Sequence, residues 1–575
     1  MGASCRNVAK IVNNPAHATA NLVRLRRIPR PVCRFTGGGT DTAGENAPVL
    51  IAGGSLVGLS TAVFLGHHGV PSVVLERHRG TAIHPRAALV NQRAIETYRA
   101  VGLQPEIEEA AAREFVQNGA IVSVESLGGK ELDWYFRFIN EGVENISPVP
   151  RIFVTQIGLE PVLLRAAEEL GASVRYASEV VSFDQDEDGV RVVVRQRDGG
   201  AEETLEAQYL VAADGAHSPT VDRLGIQRLG HGSFSDSITI YFKADCGALM
   251  GDRNLSVVYV FGPTVQGFFR FSIDLQAGFL VVNSTVDAEG RKSVRIGEDM
   301  SEATCVRYVR EALGDPDIAV EIEDVQRWAA SAEYAERLRD GRVFLAGDAV
   351  HVMPPTGGFG GNCGIQDAYD LAWKLAYVLD GRADESLLAT YDTERQPVGA
   401  FTTEQAYTRY VLRLDPSLGT DDLQPVVDEA AVELGYRYRS PAVTGVDDDD
   451  TWENPRTPSG RPGFRAPHVP VRVDGVERST LDLFGQAFTV LAGPGGGDWC
   501  DAGRRAGETV GVTVETFRAG ADLVAEHGAL ERVYGTGAEG AVLVRPDGFV
   551  AWRSEGPSAN GADALERALA TALGR

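Results

Sequence analysis

The sequence predicts an α/β protein: a Rossmann-like nucleotide-binding domain split by an inserted antiparallel β-sheet, followed by a smaller, thioredoxin-like α/β domain. Three observations predict it. An apolar run, a glycine turn and a helical pattern follow one another from residue 49, and the same order returns from residue 343. Between them, residues 231–335 change to an alternating apolar/polar period, the mark of a sheet with one buried face. After a Pro- and Asp-rich stretch, a new strand and helix pattern begins near residue 463. A chain of 575 residues is too long for one core and suggests three or so domains.

Residues 1–46 stand apart. Arg6, Lys10, Arg24, Arg26, Arg27, Arg30 and Arg34 precede the first acid, Asp41, and no apolar signal core accompanies them. This segment reads as a disordered extension or a mis-assigned start, and the fold is read from residue 47. Val49–Ala52 is a buried strand, Gly53-Gly54-Ser55-Leu56-Val57-Gly58 a turn into a helix reaching His68, and Ser72–Leu75 a second strand closing on Glu76. That order is the dinucleotide fingerprint. Gly53 makes the tight turn, Gly58 allows close helix packing, and the helix amino end faces a pyrophosphate. Glu76, with Arg77 beside it, meets the ribose hydroxyls. Ser55 replaces the middle glycine, and its hydroxyl is expected near a phosphate.

Thr155-Gln156 leads into a helix over 159–170, and 180–183 with 190–195 reads as a hairpin. Residues 209–213 form a buried strand ending at Asp214-Gly215. In the inserted sheet, Ile238, Ile240, Phe242 and Ala244 alternate with Thr239, Tyr241 and Lys243, and strand-like runs recur at Leu255–Phe261, 267–273 and 279–283. The second strand–glycine passage ends at Gly347-Asp348, where an acid can accept hydrogen bonds from the hydroxyls of a bound polyol. Pro354, Pro355, Gly357, Gly358, Gly360 and Gly361 form a stiff apron open to a flat ligand. Ile365, Ala368, Leu371, Ala372 and Leu375 then repeat at helical spacing, so a helix begins between Asn362 and Gly364 and points its amino end at that ligand. Such an end favours negative charge, which suits a redox ring that is anionic when reduced.

A helix follows 387–395 and runs past Tyr410. Residues 441–462, with Asp447–Asp450 and Pro455, Pro458 and Pro462, read as a linker, and 463–575 as the thioredoxin-like domain. Trp499-Cys500-Asp501-Ala502-Gly503 carries one thiol where a cycling disulfide needs two, so this domain is expected to be structural or dimer-forming. The net charge of −25 argues against nucleic acid or an anionic membrane as partner. No apolar run approaches the roughly 20 residues of a membrane span. Six scattered cysteines fit a reducing cytoplasm and give no metal spacing. No G-x-S-x-G, H-E-x-x-H or P-loop is present, nor a second nucleotide fold.

The stretch 347–374, the fingerprint, and Asp214-Gly215-Ala216-His217-Ser218 together resemble the GD and DG motifs of the FAD-dependent aromatic hydroxylases, the group A flavoprotein monooxygenases. The resemblance implies the PHBH-like fold, in which 47–230 and 336–440 hold FAD. The sheet 231–335, with a contribution from 121–149, roofs the substrate. It places Arg86 of the HPRA loop near the flavin and Gln156 on the ribityl chain, and sets Tyr241, Tyr259, Phe269 and Phe271 on the substrate pocket. The arginine usual in the DG motif is Val221 here, with Arg223 two residues on. The implied cycle uses NADPH (or NADH) and O2 and passes through a C4a-hydroperoxyflavin; no residue is identified as catalytic base. The GGSLVGLS turn, the HPRA loop and the tail are similar to hydroxylases of aromatic polyketides, anthracycline (aklavinone-type) and angucycline, that act in antibiotic tailoring. Three alternatives stay open: a simple-phenol hydroxylase, an antibiotic-inactivating or Baeyer–Villiger-type oxygenase, and a non-catalytic flavin-binding sensor.

Overall fold

A computed structural model describes residues 47–84, 88–286, 292–293, 296, 300–526, 528–557 and 561–575. The expectations for residues 1–46 and for Arg86 therefore lie outside the described residues.

Short apolar runs form the buried middle of a six-stranded sheet. Its order is Arg339–Asp340, Val343–Leu345, Tyr209–Ala212, Val49–Ala52, Ser72–Leu75, Ser173–Arg175; the strands are parallel except Arg339–Asp340, which pairs antiparallel, and the two outer strands are part-buried. Helices Leu56–His67, Gln156–Glu169 and Gly360–Leu379 cover it. The expected hairpin is longer than its two apolar cores, Ser178–Gln185 and Val190–Gln196, and gains a third strand, Glu202–Ala207. That third strand is polar and largely exposed, so it carries no apolar period to read.

Among the described residues the inserted sheet has nine strands. Its long members, Arg228–Lys243 and Glu321–Ala335, pair antiparallel, with Ala277–Val286, Val265–Phe271 and Leu255–Phe261 beyond. Ala120–Val124 adds to Leu255–Phe261 in parallel and carries Glu131–Phe136 antiparallel. One face is sealed by the helix Glu302–Leu313, whose Cys305, Val309, Ala312 and Leu313 pack on Ile238, Ile240 and Phe242. On the other face Tyr259 and Phe268 pack with Tyr410 and Leu414 at the end of the helix Ala389–Arg413.

In the tail, a four-stranded sheet in the order Val514–Arg518, Phe488–Ala492, Ala541–Val544, Val550–Ser554 is flanked by helices Gly497–Val510 and Gly561–Ala572. Its core is shared: Trp373, Tyr377 and Leu387 pack with Phe488, Val490 and Leu569. The segment 441–462 is tied down, with Ala442 buried in that core and Arg437 and Arg461 both on Asp448. Cys500 is buried, which pushes its thiol up, and a Cβ on Gly503 would stand 2.9 Å from Val490 Cγ2. Reactive thiols show the opposite setting.

A buried ionic knot joins the tail to the rest. Lys374 Nζ donates to Asp370 (2.7 Å) and Glu394 (2.6 Å), and Arg545 reaches Glu394 (2.5 Å) and also pairs with Asp547. Burial pushes the Asp370 carboxyl up, whereas for Glu394 burial is outweighed by Arg545 and Lys374, and its pKa is lowered. Arg465 adds a bidentate pair to Glu96 (2.8 and 2.5 Å), and Arg93 donates to the Asp547 carbonyl at 2.6 Å.

Arg545→Met leaves Glu394 and Asp547 without their guanidinium. It should cost about 3–5 kcal/mol, seen as an earlier denaturant midpoint by tryptophan fluorescence. Because the folded-state pKa of Glu394 is depressed, its contribution is present above its unfolded pKa and is lost as pH falls through the folded one. Acidification should therefore shift the wild-type midpoint more than that of Glu394→Gln.

Candidate functional site

Three strand ends meet along one edge of the parallel sheet. Ala52 pairs with Ala212 and Ala212 with Leu345, so the turns after them, Gly53, Asp214-Gly215 and Gly347-Asp348, open side by side. The approach is close enough to exclude side chains. Gly53 takes φ +101° and donates its N–H to the Leu75 carbonyl at 2.9 Å; a Cβ there would stand 2.2 Å from the Ala213 carbonyl oxygen. A Cβ on Gly58 would lie 1.8 Å from the Gly53 oxygen, and one on Gly347 or Gly364 would meet Val57 at 2.7 or 2.6 Å.

Glu76 is buried and accepts from the Gly54 N–H (2.6 Å), the His78 N–H (2.7 Å) and His78 Nδ1 (2.6 Å), which fixes the first turn. Arg77 beside it is exposed. Ser55 occupies the N-cap of the first helix without capping it; its hydroxyl donates instead to Glu160 Oε1 at 2.5 Å. Gln156 Nε2 donates to both Ser55 Oγ (3.1 Å) and Glu160 Oε1 (3.2 Å), and the other Glu160 oxygen takes the Ala82 N–H (2.7 Å). Burial pushes the Glu160 carboxyl up.

At the second strand end, Asp214 Oδ2 accepts from the Thr220 hydroxyl at 2.7 Å, while its Oδ1 is buried with no partner among the described residues. Gly215 has φ +88°. Val221 is fully buried, and Arg223 stacks on Phe183 at 5.2 Å toward the hairpin, so neither reaches this edge. At the third end Asp348 is exposed. The turn beneath it is held by Asp367, whose Oδ2 accepts from the Gly347 N–H (3.0 Å) and pairs with His351 Nε2 (2.7 Å), and whose Oδ1 accepts from Arg395 Nε (2.8 Å). Burial raises the Asp367 carboxyl, but His351 and Arg395 outweigh it and hold it near 2.

Pro355 is exposed in the apron, Gly357 and Gly358 take φ +90° and +67°, and the Gly358 N–H closes on the Pro355 carbonyl at 3.0 Å. The helix starts at Gly360, two residues before the expected position, because the two glycines join its first turn. Asn362 spends its amide on the protein. It donates to the carbonyls of Leu89 (2.9 Å) and Gly358 (2.7 Å) and accepts the Asn91 N–H (2.9 Å). What this helix presents is backbone N–H groups of its first turn, which have no intrahelical acceptor. They border a hollow whose walls include Leu56, Leu89, Val154, Gln156, Gly361 and Ile365, brought together from four separate stretches of chain.

The inserted sheet lies over this region. Tyr241, opposite Phe279, and Tyr259, opposite Phe268, are on the face away from the Glu302–Leu313 helix, and His84 lies 5.6 Å from the Tyr241 ring. Phe269 and Phe271, expected on the pocket, are on the other face. They pair with Val258, Leu280 and Gly278 and stack on each other at 5.1 Å in the core under the Glu302–Leu313 helix. The strand period of two makes the choice: Phe268 and Arg270 face inward, their neighbours outward. Glu160, Asp367 and Arg270 went unread in the sequence. Glu160 had a signal, one helical turn beyond Gln156 on the same face.

These residues fit a dinucleotide with a polyol chain. The strand-end glycines leave room for a backbone-close ligand, Asp214 Oδ1 is an unpartnered buried acceptor, and two helix amino ends border the site. The comparisons with known proteins agree. Residues 46–406 match the family described as FAD binding domain, and residues 459–575 match aromatic-ring hydroxylase, C-terminal. A 4-methyl-5-nitrocatechol 5-monooxygenase of a Burkholderia species is 48% identical over 91% of this chain and 97% of its own. An aklavinone 12-hydroxylase of Streptomyces purpurascens is 39% identical, over 92% and 99%. The crystal structure of aklavinone-11 hydroxylase with FAD and aklavinone superposes with a TM-score of 0.87 at 39% identity, covering 93% of this chain and all (100%) of that one.

Gly58→Ala puts a methyl group against the Gly53 carbonyl. Purified Gly58→Ala should lose its flavin absorbance while its far-UV circular dichroism stays that of the wild type.

Proposed function

The chain belongs to the FAD-binding aromatic-ring hydroxylases and is a flavin-dependent monooxygenase; from that premise we propose that it hydroxylates a phenolic, polyketide-type ring at the expense of NADPH (or NADH) and O2 in the cytoplasm. One observation carries the reading: three strand ends, leading to Gly53, Asp214 and Gly347-Asp348, lie side by side at one edge of the parallel sheet, where the helices Leu56–His67 and Gly360–Leu379 begin. FAD held at this edge would supply the redox chemistry between the nicotinamide, O2 and the ring.

The chain's own residues do the rest. Asp348 and Asp214 Oδ1 are placed to accept from ligand hydroxyls, and Glu76 holds the turn for the adenosine end. Gln156 reaches the polyol side of the hollow, with Glu160 and Ser55 fixing its amide. Arg77 and the Pro355–Gly361 apron border the same ligand. The first turn of Gly360–Leu379 places its N–H groups and dipole where negative charge must be stabilised. Asp367 sustains that geometry through Gly347. Tyr241 and Tyr259 contribute to an apolar roof that keeps water from the reaction.

A second reading has its own support. The relative named for 4-methyl-5-nitrocatechol is more similar (48%) than those named for aklavinone (39% and 40%), which favours a small nitro-substituted catechol.

The test follows NADPH oxidation by the yellow holoenzyme under 18O2, with a tetracyclic polyketide phenol in one arm and 4-methyl-5-nitrocatechol in the other. Label in the tetracycle supports the first reading, and label only in the catechol product the second. Peroxide release unaffected by either substrate would end both. Asp348→Ala should retain less FAD after gel filtration, and full retention with normal turnover would show that Asp348 does not hold the polyol chain.

A further inference from the structure

We propose that Arg270 is the substrate's anion-binding residue: its guanidinium receives an ionised ring hydroxyl together with a neighbouring ring oxygen. The phenol therefore binds as the oxyanion, its proton left with the solvent. The proposal rests on the reading of the protein as a phenol-oxygenating enzyme and names the feature of the substrate that this site selects.

Arg270 is 4% exposed and lies on the inward face of Val265–Phe271, opposite Phe279 and in the same row as Tyr241. Its guanidinium is clamped between the rings of Phe115 (4.2 Å) and Phe153 (4.4 Å), so it cannot swing toward water. Nη1 donates to the Ala88 carbonyl at 3.2 Å, next to Leu89 in the wall of the hollow, and Phe153 precedes Val154 in the same wall. Nε and Nη2 have no hydrogen-bond partner among the described residues. These two N–H groups share one edge of the guanidinium plane, the fork that fits two adjacent oxygens.

Other deeply buried arginines show how unusual this is. Arg395 has Asp367, Arg545 has Glu394 and Asp547, Arg465 has Glu96, and Arg151 has Glu433. Arg270 has no carboxylate in ion-pair contact among the described residues. Glu114, the nearest acid acting on it, points its oxygens at the Thr155 N–H (2.7 Å) and hydroxyl (3.1 Å), and His84 is turned to Asp324. Burial accordingly pushes the Arg270 guanidinium down to about 9. A desolvated cation with a fixed, unused fork is compensated when an anion arrives. An ionised catechol, or a hydroxyquinone with oxygens on neighbouring positions, supplies that anion in the right shape. The role of base then falls to no side chain, since the arginine lowers the phenol's own pKa by stabilising its anion.

The experiment titrates 4-nitrocatechol into the oxidised holoenzyme at a pH where the free compound is partly protonated, and reads the ionised band by difference absorbance. Wild type should bind it as the anion. Arg270→Gln keeps a donor for the Ala88 carbonyl but loses the charge. It should bind at least about tenfold more weakly and take the ligand protonated, with FAD content unchanged. Arg270→Lys should keep the anion and lose part of the affinity. Anion binding by Arg270→Gln as tight as wild type would overturn the proposal. Loss of FAD from both variants would also overturn it, by placing the arginine in support of the cofactor's loop. A wild-type protein that stays yellow and binds no aromatic compound sinks the parent reading as well.

Discussion

The structure depends on how closely two distant turns approach one parallel strand. Tyr209–Ala212 lies between Val49–Ala52 and Val343–Leu345, and the register puts their last residues in one line. From that line the chain must leave by turns that nearly touch. Gly53 runs over the Ala213 carbonyl, and Gly58 passes over Gly53. Val57 fills the gap to Gly347 and Gly364. No side chain fits at those glycines, so the first helix and the Gly360–Leu379 helix reach the same edge with their amino ends aimed at one place. A ligand that spans both ends is the physical consequence of the register.

Charge buried around that edge is arranged to hold backbone in place. Asp367 ties the Gly347 turn to His351 and Arg395, and all three are buried. Removing any one leaves a desolvated charge without its partner, so the cluster behaves as a unit. The tail joins this scheme through the helix that begins at the apron. Trp373 and Tyr377 sit in the tail's core, and Lys374 lies in the ionic knot with Arg545. The tail, whose Cys500 is buried, is therefore packed and ion-paired onto the helix Gly360–Leu379.

What was legible in the sequence was local. Strand edges at Val49–Ala52, Ser72–Leu75 and Leu255–Phe261 coincide with their apolar runs, and the fingerprint turn announces itself by glycine spacing. What was not legible needed partners far along the chain. The Ser55 hydroxyl goes to Glu160, 105 residues on, and no local rule distinguishes that from a phosphate contact. The apron helix starts early because Gly360 and Gly361 are poor helix formers only in a helix interior; at an amino end their N–H groups are unpaired in any case. Phe269 and Phe271 were misplaced for a simpler reason. In a run as apolar as GFFRF both faces look alike, and only the pairing of Phe269 with Val258 and Leu280 reveals which one is sealed.

Relatives named for 4-methyl-5-nitrocatechol and for aklavinone match this chain over 91% and 92% of its length. An apolar roof discriminates weakly, since each added or missing methylene changes binding by only about 1–3 kcal/mol. Rings of different size can then be accommodated by exchanging residues on the inner face without moving a strand. Orientation is another matter, because an aromatic face offers few directional contacts. Arg270, held between Phe115 and Phe153 with Nε and Nη2 unpartnered among the described residues, is the directional group on that face, and under the proposal above it is the charge, not the apolar surface, that orients the ring.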